Sequence, residues 1–299
     1  MPARVLTALA ALAVACAATA APLQQVENLN VGPAPSALAV DAVSGRVIVG
    51  NSGSGRGQPG SLAVLERSGK LTTVATPSGP LHVAVSAARR KAVATLDREG
   101  AVAILDLDTL ALRTLAAGRG PRLSLIDDAA GKAYVIGAER AMDLPRGWVS
   151  VIDLATYEVQ SYSSVGFAPE DAVLAADGKR LYLVGNHNVR SGEYKPGFVQ
   201  AFDIPGRRFV GAPTALGREA KRVARSPRGA RLYVAGHTDQ YRDGFPAGDL
   251  RRHSIRGALF TLDAATLALE RTTALPDTRD LQLHGPMLTP QLQVDPATG

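Results

Sequence analysis

His82, Arg122, Glu170, Asp171, Lys221 and Arg222 are the residues of this chain whose types and placement could do chemistry. Glu170 and Asp171 are adjacent carboxylates, and Lys221 and Arg222 are adjacent cations. All six stand at the start of short apolar runs whose equivalent places elsewhere hold Ser36, Ala37, Leu81 and Leu123. A carboxylate beside a cation keeps a depressed pKa, and a histidine near both can be tuned as a proton carrier. Convergence of the six would therefore permit one of two activities. His82, Glu170 or Asp171 could serve as general acid or base, while Arg122 and Arg222 hold a carboxylate or a developing oxyanion. The same groups could instead bind an anion without chemistry, or merely pair with one another and hydrate the opening.

Further polar residues lie where variable loops are expected. His187 and His237 each follow an apolar run, "RLYLVGN" and "RLYVAG", and Arg252 belongs to the long segment "GHTDQYRDGFPAGDLRRHSIRG". Between Arg218 and Arg231, "REAKRVARSPRGAR" carries a single acid, Glu219, and Arg242, Arg251, Arg252 and Arg256 follow. Such a basic sector suits a polyanion. Few aromatics interleave with these arginines, which weakens a nucleic-acid reading. His187, His237, His253 and His284 show no paired metal-ligand spacing, and "DQYRDG" departs from a calcium-loop pattern, so no metal and no cofactor are expected.

Two fixed frames position these residues. In the first, a small or acidic residue precedes a basic one by five positions: Asp41 and Arg46, Ser86 and Lys91, Asp127 and Lys132, Ala175 and Arg180, Ser226 and Arg231. In the second, a glycine precedes an acid by six: Gly60 and Glu66, Gly100 and Asp106, Gly147 and Asp153, Gly197 and Asp203, Gly257 and Asp263. Only the distance from basic residue to glycine varies, being 14, 9, 15, 17 and 26 residues in order. Each unit reads as strand a ("SALAVD"), strand b ("RVIVG"), a variable loop, strand c ("SLAVLE") and strand d ("KLTTVAT"), and four strands at this period make a propeller blade. The acids in "DLDT", "DLAT" and "DAAT" are expected to accept backbone N–H bonds in the c–d turn rather than to act catalytically.

The run of Pro, apolar strand, "DG" or "SG", "RLYV", glycine and "VSVIDLAT" resembles the YVTN family of β-propeller repeats over nearly the whole chain after the leader. That resemblance implies a secreted or cell-surface propeller used for binding, related in fold to propeller lactonases. The composition agrees with an all-β fold: the 299 residues are 46% hydrophobic and 5% aromatic, with 30 glycines and 19 prolines. The balance of 33 basic to 27 acidic residues, net +6, favours anionic partners.

Residues 1–21 read as a signal peptide, with Arg4, the apolar core "VLTALAALAVA" and the small-residue site "ATA", leaving residues 22–299 as the propeller domain. A periplasmic or extracellular monomer is expected, without a transmembrane segment. Cys16, the only cysteine, falls inside the leader, and Ala13 stands where a lipoprotein signal has leucine. "LQQVENLNV" from Leu23 resembles a strand d, and "LQVDPATG" from Leu292 matches "LAVDAVSG" from Leu38. The expectation is five full blades and a partial sixth in a truncated chain whose native ring has six or seven. An open ring with the segment from Asp277 to Pro290 across the gap is the alternative. The partner expected is an anionic small molecule, a polyanion or a protein, and the competing reading is a lactonase-like hydrolase or isomerase of a small anionic substrate.

Overall fold

The computed structural model describes residues 29–53, 59–96, 99–139, 146–163, 167–186, 196–241 and 253–275. The chain divides into two compact units, Met1–Asn30 and Val31–Gly299, and the described strands all lie in the second. The leader, "LQVDPATG", His187 and Arg252 fall outside the described residues, as does most of "LQQVENLNV".

The two sequence frames become five antiparallel sheets of four strands, each in the order a, b, c, d. Blade 1 is β1 (Pro35–Val40), β2 (Val47–Asn51), β3 (Gly60–Leu65) and β4 (Leu71–Thr76). Blade 2 is β5 (Pro80–Ser86), β6 (Lys91–Leu96), β7 (Ala101–Asp106) and β8 (Leu112–Ala116). Blade 3 is β9 (Pro121–Asp127), β10 (Lys132–Glu139), β11 (Arg146–Asp153) and β12 (Val159–Ser163). Blade 4 is β13 (Ala168–Leu174), β14 (Arg180–Asn186), β15 (Gly197–Asp203) and β16 (Arg208–Leu216). Blade 5 is β17 (Glu219–Arg225), β18 (Arg231–Tyr241), β19 (His253–Asp263) and β20 (Leu269–Ala274). The segment expected as a loop from Gly236 to Gly257 is shorter than that: β18 and β19 stay paired out to Tyr241 opposite His253. Thr238, Tyr241 and Ile255 are strand formers, and they carry the ladder beyond the sheet.

Inner strands lie side by side, β1 by β5, β5 by β9, β9 by β13 and β13 by β17; among the described residues no such packing joins β17 back to β1. The core follows the same plan, one apolar cluster per junction. Ile48 and Leu62 of blade 1 meet Ala94 and Leu105 of blade 2, and Val93 and Ile104 meet Val135 and Trp148 of blade 3. Ile136 and Val149 then meet Leu183 and Phe202 of blade 4, and Val184 and Val199 meet Val234 and Phe260 of blade 5. Alternation along each strand sends successive side chains to opposite faces, so every inner blade feeds two clusters. The first face of blade 1 differs, with Leu38 63% and Val40 54% exposed.

The c–d turns bear out the structural reading of their acids. Asp153 Oδ1 accepts the N–H groups of Ala155 (2.8 Å) and Thr156 (2.9 Å). Asp106 takes those of Asp108 and Thr109, and Asp263 those of Ala265 and Thr266. Four residues after each acid the chain turns left-handed at a non-glycine residue, with φ of 59° at Leu110, 65° at Tyr157 and 60° at Leu267. That conformation costs about 1 kcal/mol, and it is held because each of these side chains packs into a junction cluster. Among the described residues no helix is long and apolar enough to cross a membrane.

Candidate functional site

The residues singled out for chemistry occupy one repeated irregularity. In all five inner strands the ladder to strand b shifts near the start, skipping Ser36, Leu81, Arg122, Glu170 and Lys221. A β-bulge leaves its residue unpaired and re-aims the side chain. Pro35, Pro80, Pro121 and Pro169 stand just before four of the bulges and bring no N–H to the distorted rung. In blade 5 the residue is Ala220, whose N–H instead donates to Asn186 Oδ1 at 2.8 Å.

After the bulge, the next side chain leans toward the following blade. Ala37 and Leu123 enter the apolar clusters there. His82 instead meets Ser124 of blade 3: the Ser124 backbone N–H donates to Nδ1 at 3.3 Å, and the hydroxyl lies 3.2 Å from the same nitrogen. With Nδ1 accepting a backbone proton, the neutral ring carries its hydrogen on Nε2. Burial lowers the His82 pKa, and the Arg222 charge lowers it further. Asp171 makes the equivalent contact one blade pair on, its Oδ2 accepting the Val223 N–H at 2.9 Å. Its pKa is raised because burial outweighs that hydrogen bond and the attraction of Arg222.

Arg222 holds the same place on the last inner strand, and its field acts on both His82 and Asp171. One Nη of Arg222 donates to the Lys221 carbonyl at 2.8 Å. Among the described residues no carboxylate lies within ion-pair distance of it. The other cations at the inner-strand starts are paired: Arg122 with Glu170 at 2.9 Å and Lys221 with Glu219 at 3.5 Å. His237 Nδ1 also donates to Glu219, at 3.1 Å. That bond is the main reason the Glu219 carboxyl falls to about 2, against burial, with Lys221 adding to the effect.

The structure thus brings His82 and Asp171 each within electrostatic reach of Arg222 and joins Arg122 to Glu170. It places His237 and Lys221 in a separate cluster around Glu219. Sequence reasoning missed Ser124, buried in an apolar-looking run, and Glu219, whose signal was its place as the lone acid of a basic stretch. Among the described residues no group of three or more His, Cys, Asp or Glu is arranged to hold a metal ion.

No protein-family model matches the chain, and no curated protein matches it in sequence. Solved structures do resemble it. Hydrazine synthase of Kuenenia stuttgartiensis superposes with a TM-score of 0.63 at 18% identity, over 85% of this chain and 69% of that one. U3-55K gives 0.54 at 11% identity, over 81% of this chain and 64% of that one. The β-propeller domain of Myceliophteria thermophila Cps50 (Swd1) gives 0.50 at 11% identity, over 82% and 88%. At such identities the likeness speaks to architecture alone, and with the five four-stranded sheets described above it makes the chain a β-propeller.

Proposed function

We propose that this chain is an exported, YVTN-type β-propeller that binds a small anionic ligand at the mouth of its inner channel, against Arg222. The observation that carries the reading is the Arg222 guanidinium, a half-buried cation that among the described residues has no carboxylate within ion-pair distance, where the neighbouring cations each have one. A guanidinium matches a carboxylate or phosphate in planar, bidentate geometry. The His82 Nε2–H supplies a second, neutral donor. Export rests on the leader pattern of residues 1–21, and the family on the blade motif.

The geometry favours binding over hydrolysis. A histidine general base needs a free nitrogen lone pair, and the one His82 has is occupied by the Ser124 N–H.

The test is calorimetric titration of residues 22–299 with succinate, citrate and inorganic phosphate at low ionic strength. At least one is expected to bind saturably, with affinity reduced about tenfold or more in Arg222→Ala, the loss of one charge-assisted pair. Absence of saturable binding to all three anions, or binding indifferent to Arg222→Ala, overturns the reading.

A further inference from the structure

A cleft of about 320 Å³ opens between blades 3 and 4 on the rim of the a–b and c–d turns, the end of the strands opposite the channel mouth. Its origin lies in the first sequence frame. At three of the four junctions the basic residue opening strand b reaches across to the c–d turn of the next blade. Arg46 donates to the Leu107 carbonyl, Lys91 lies 5.4 Å over the Tyr157 ring, and Arg180 donates to the Ala265 carbonyl at 3.2 Å. At the remaining junction the residue is Lys132, which pairs with Asp153 of its own blade at 2.7 Å, as Lys91 does with Asp106, but among the described residues makes no contact of this kind across the junction. The facing turn of blade 4 is "DIPGR", without the Asp–Thr pair of its counterparts. The space spanned elsewhere by a side chain is left open here.

The polar groups around it are arranged in advance. Tyr162 donates to Gln160 Oε1 at 2.8 Å, and Gln160 Nε2 donates to Glu158 Oε1 at 3.0 Å, which fixes that carboxylate at the edge. On the inner strand of the same blade, three strands away from Glu158, Asp127 uses Oδ1 for the Ala130 N–H at 3.0 Å and has no cation within ion-pair distance among the described residues. Tyr134 lines the cleft with its residue only 1% exposed, and among the described residues its hydroxyl has no hydrogen-bond partner. Burial, helped by the Asp127 charge, pushes that phenol up to about 12, so it remains a donor and acceptor at any physiological pH. Lys132 is committed to Asp153, and the exposed Arg207 stands in the facing turn. The carboxylates Asp127 and Glu158 therefore outweigh the one uncommitted cation.

We propose that this cleft is a second binding site, separate from the channel mouth, that takes a guanidinium or primary ammonium group against the Asp127 carboxylate with the Tyr134 hydroxyl as a second contact. Such a group comes either from a free amine or from a basic side chain of a polypeptide. The volume suits one such side chain or a small amine and little more.

The experiment is an NMR titration of ¹⁵N-labelled residues 22–299 with N-acetyl-argininamide, with the neutral isostere N-acetyl-citrullinamide as control. The arginine compound is expected to shift amides near Asp127 and Gly178 saturably and to bind about tenfold tighter than the citrulline compound, which isolates the charge. Asp127→Asn is expected to weaken it about fivefold or more. Tyr134→Phe, which keeps the buried ring, is expected to weaken it less, and Arg222→Ala is expected to leave it unchanged. Tighter binding of a Gly-Gly-Arg-Gly-Gly peptide assigns the group to a polypeptide, and weaker binding assigns it to a free amine; both uphold the site. Equal binding of the two probes, absence of saturation in a folded sample, or insensitivity to both Asp127→Asn and Tyr134→Phe overturns it.

Discussion

Asp153 and Asp171 are both aspartates on blade strands, and their surroundings drive them in opposite directions. The Lys132 ammonium and two turn N–H groups hold the Asp153 carboxyl well below the usual range, and Asp106 is held at about 2 by equivalent turn bonds. A carboxylate with a folded pKa below its unfolded value, near 3.9, stabilises the fold above pH 4 and loses that contribution as pH falls through the folded value. Asp171 has the reverse sign: its ionised form is penalised by burial, so it costs stability above its raised pKa and costs none below the unfolded one. Asp153→Asn should therefore destabilise by about 1–2 kcal/mol at pH 7, with the difference from wild type closing as pH approaches 2. Asp171→Asn should leave the melting temperature at pH 7 unchanged or raised. Thermal denaturation at pH 7 and 3 reads both. The role of Asp153 was legible because the same letters recur in "DLDT" and "DAAT". The environment of Asp171 was not, since its partner Val223 offers a backbone group that no sequence pattern announces.

At the scale of the strand, the bulge explains a glycine the sequence repeats. Five residues after its opening basic residue, strand b carries Gly137, Gly185 and Gly236 in blades 3, 4 and 5, and a Cβ there would lie 2.5 Å from the Gly120 oxygen, 2.0 Å from the Ala168 oxygen and 2.0 Å from the Glu219 oxygen. Each of these carbonyls sits just ahead of the bulge, where strand a swings in against its partner. A backbone oxygen cannot yield as the tip of a side chain does. Gly185→Ala is expected to cost about 3 kcal/mol or more, at or beyond the upper end for overpacking, and to be measurable in urea as a drop in midpoint. The glycine was legible as a fixed letter of "RLYLVG" and "RLYVAG". Its cause was not, because alternation alone specifies which side chains face inward and says nothing of a skipped rung. For the same reason the six chemical residues were placed at strand starts correctly, while their sorting into three groups depended on which way each bulge turns them.

At the scale of the molecule, stability is distributed over junctions between neighbours, as in other repeat architectures. Leu123 sits in the junction of blades 3 and 4, whereas Leu38 holds the next place along the first inner strand and remains mostly in water. Leu123→Ala is expected to cost about 2–5 kcal/mol, the range for a buried leucine, and Leu38→Ala less than about 1 kcal/mol; denaturant titration of the two variants side by side checks the contrast. Blade number and strand order were legible throughout the five sheets, because a repeat states its period openly. The cleft between blades 3 and 4 was hidden, since Lys132 looks like every other opening basic residue until its direction is known. The recurring bulge has a consequence for how such a protein can change. Ser36, Leu81, Arg122, Glu170 and Lys221 are excused from the ladder, so their identities are decoupled from the pairing that builds the blades. Mutation can therefore respell the mouth one letter per blade while the scaffold beneath keeps its grammar, and a combinatorial library confined to those five positions would explore new specificities without sampling new folds.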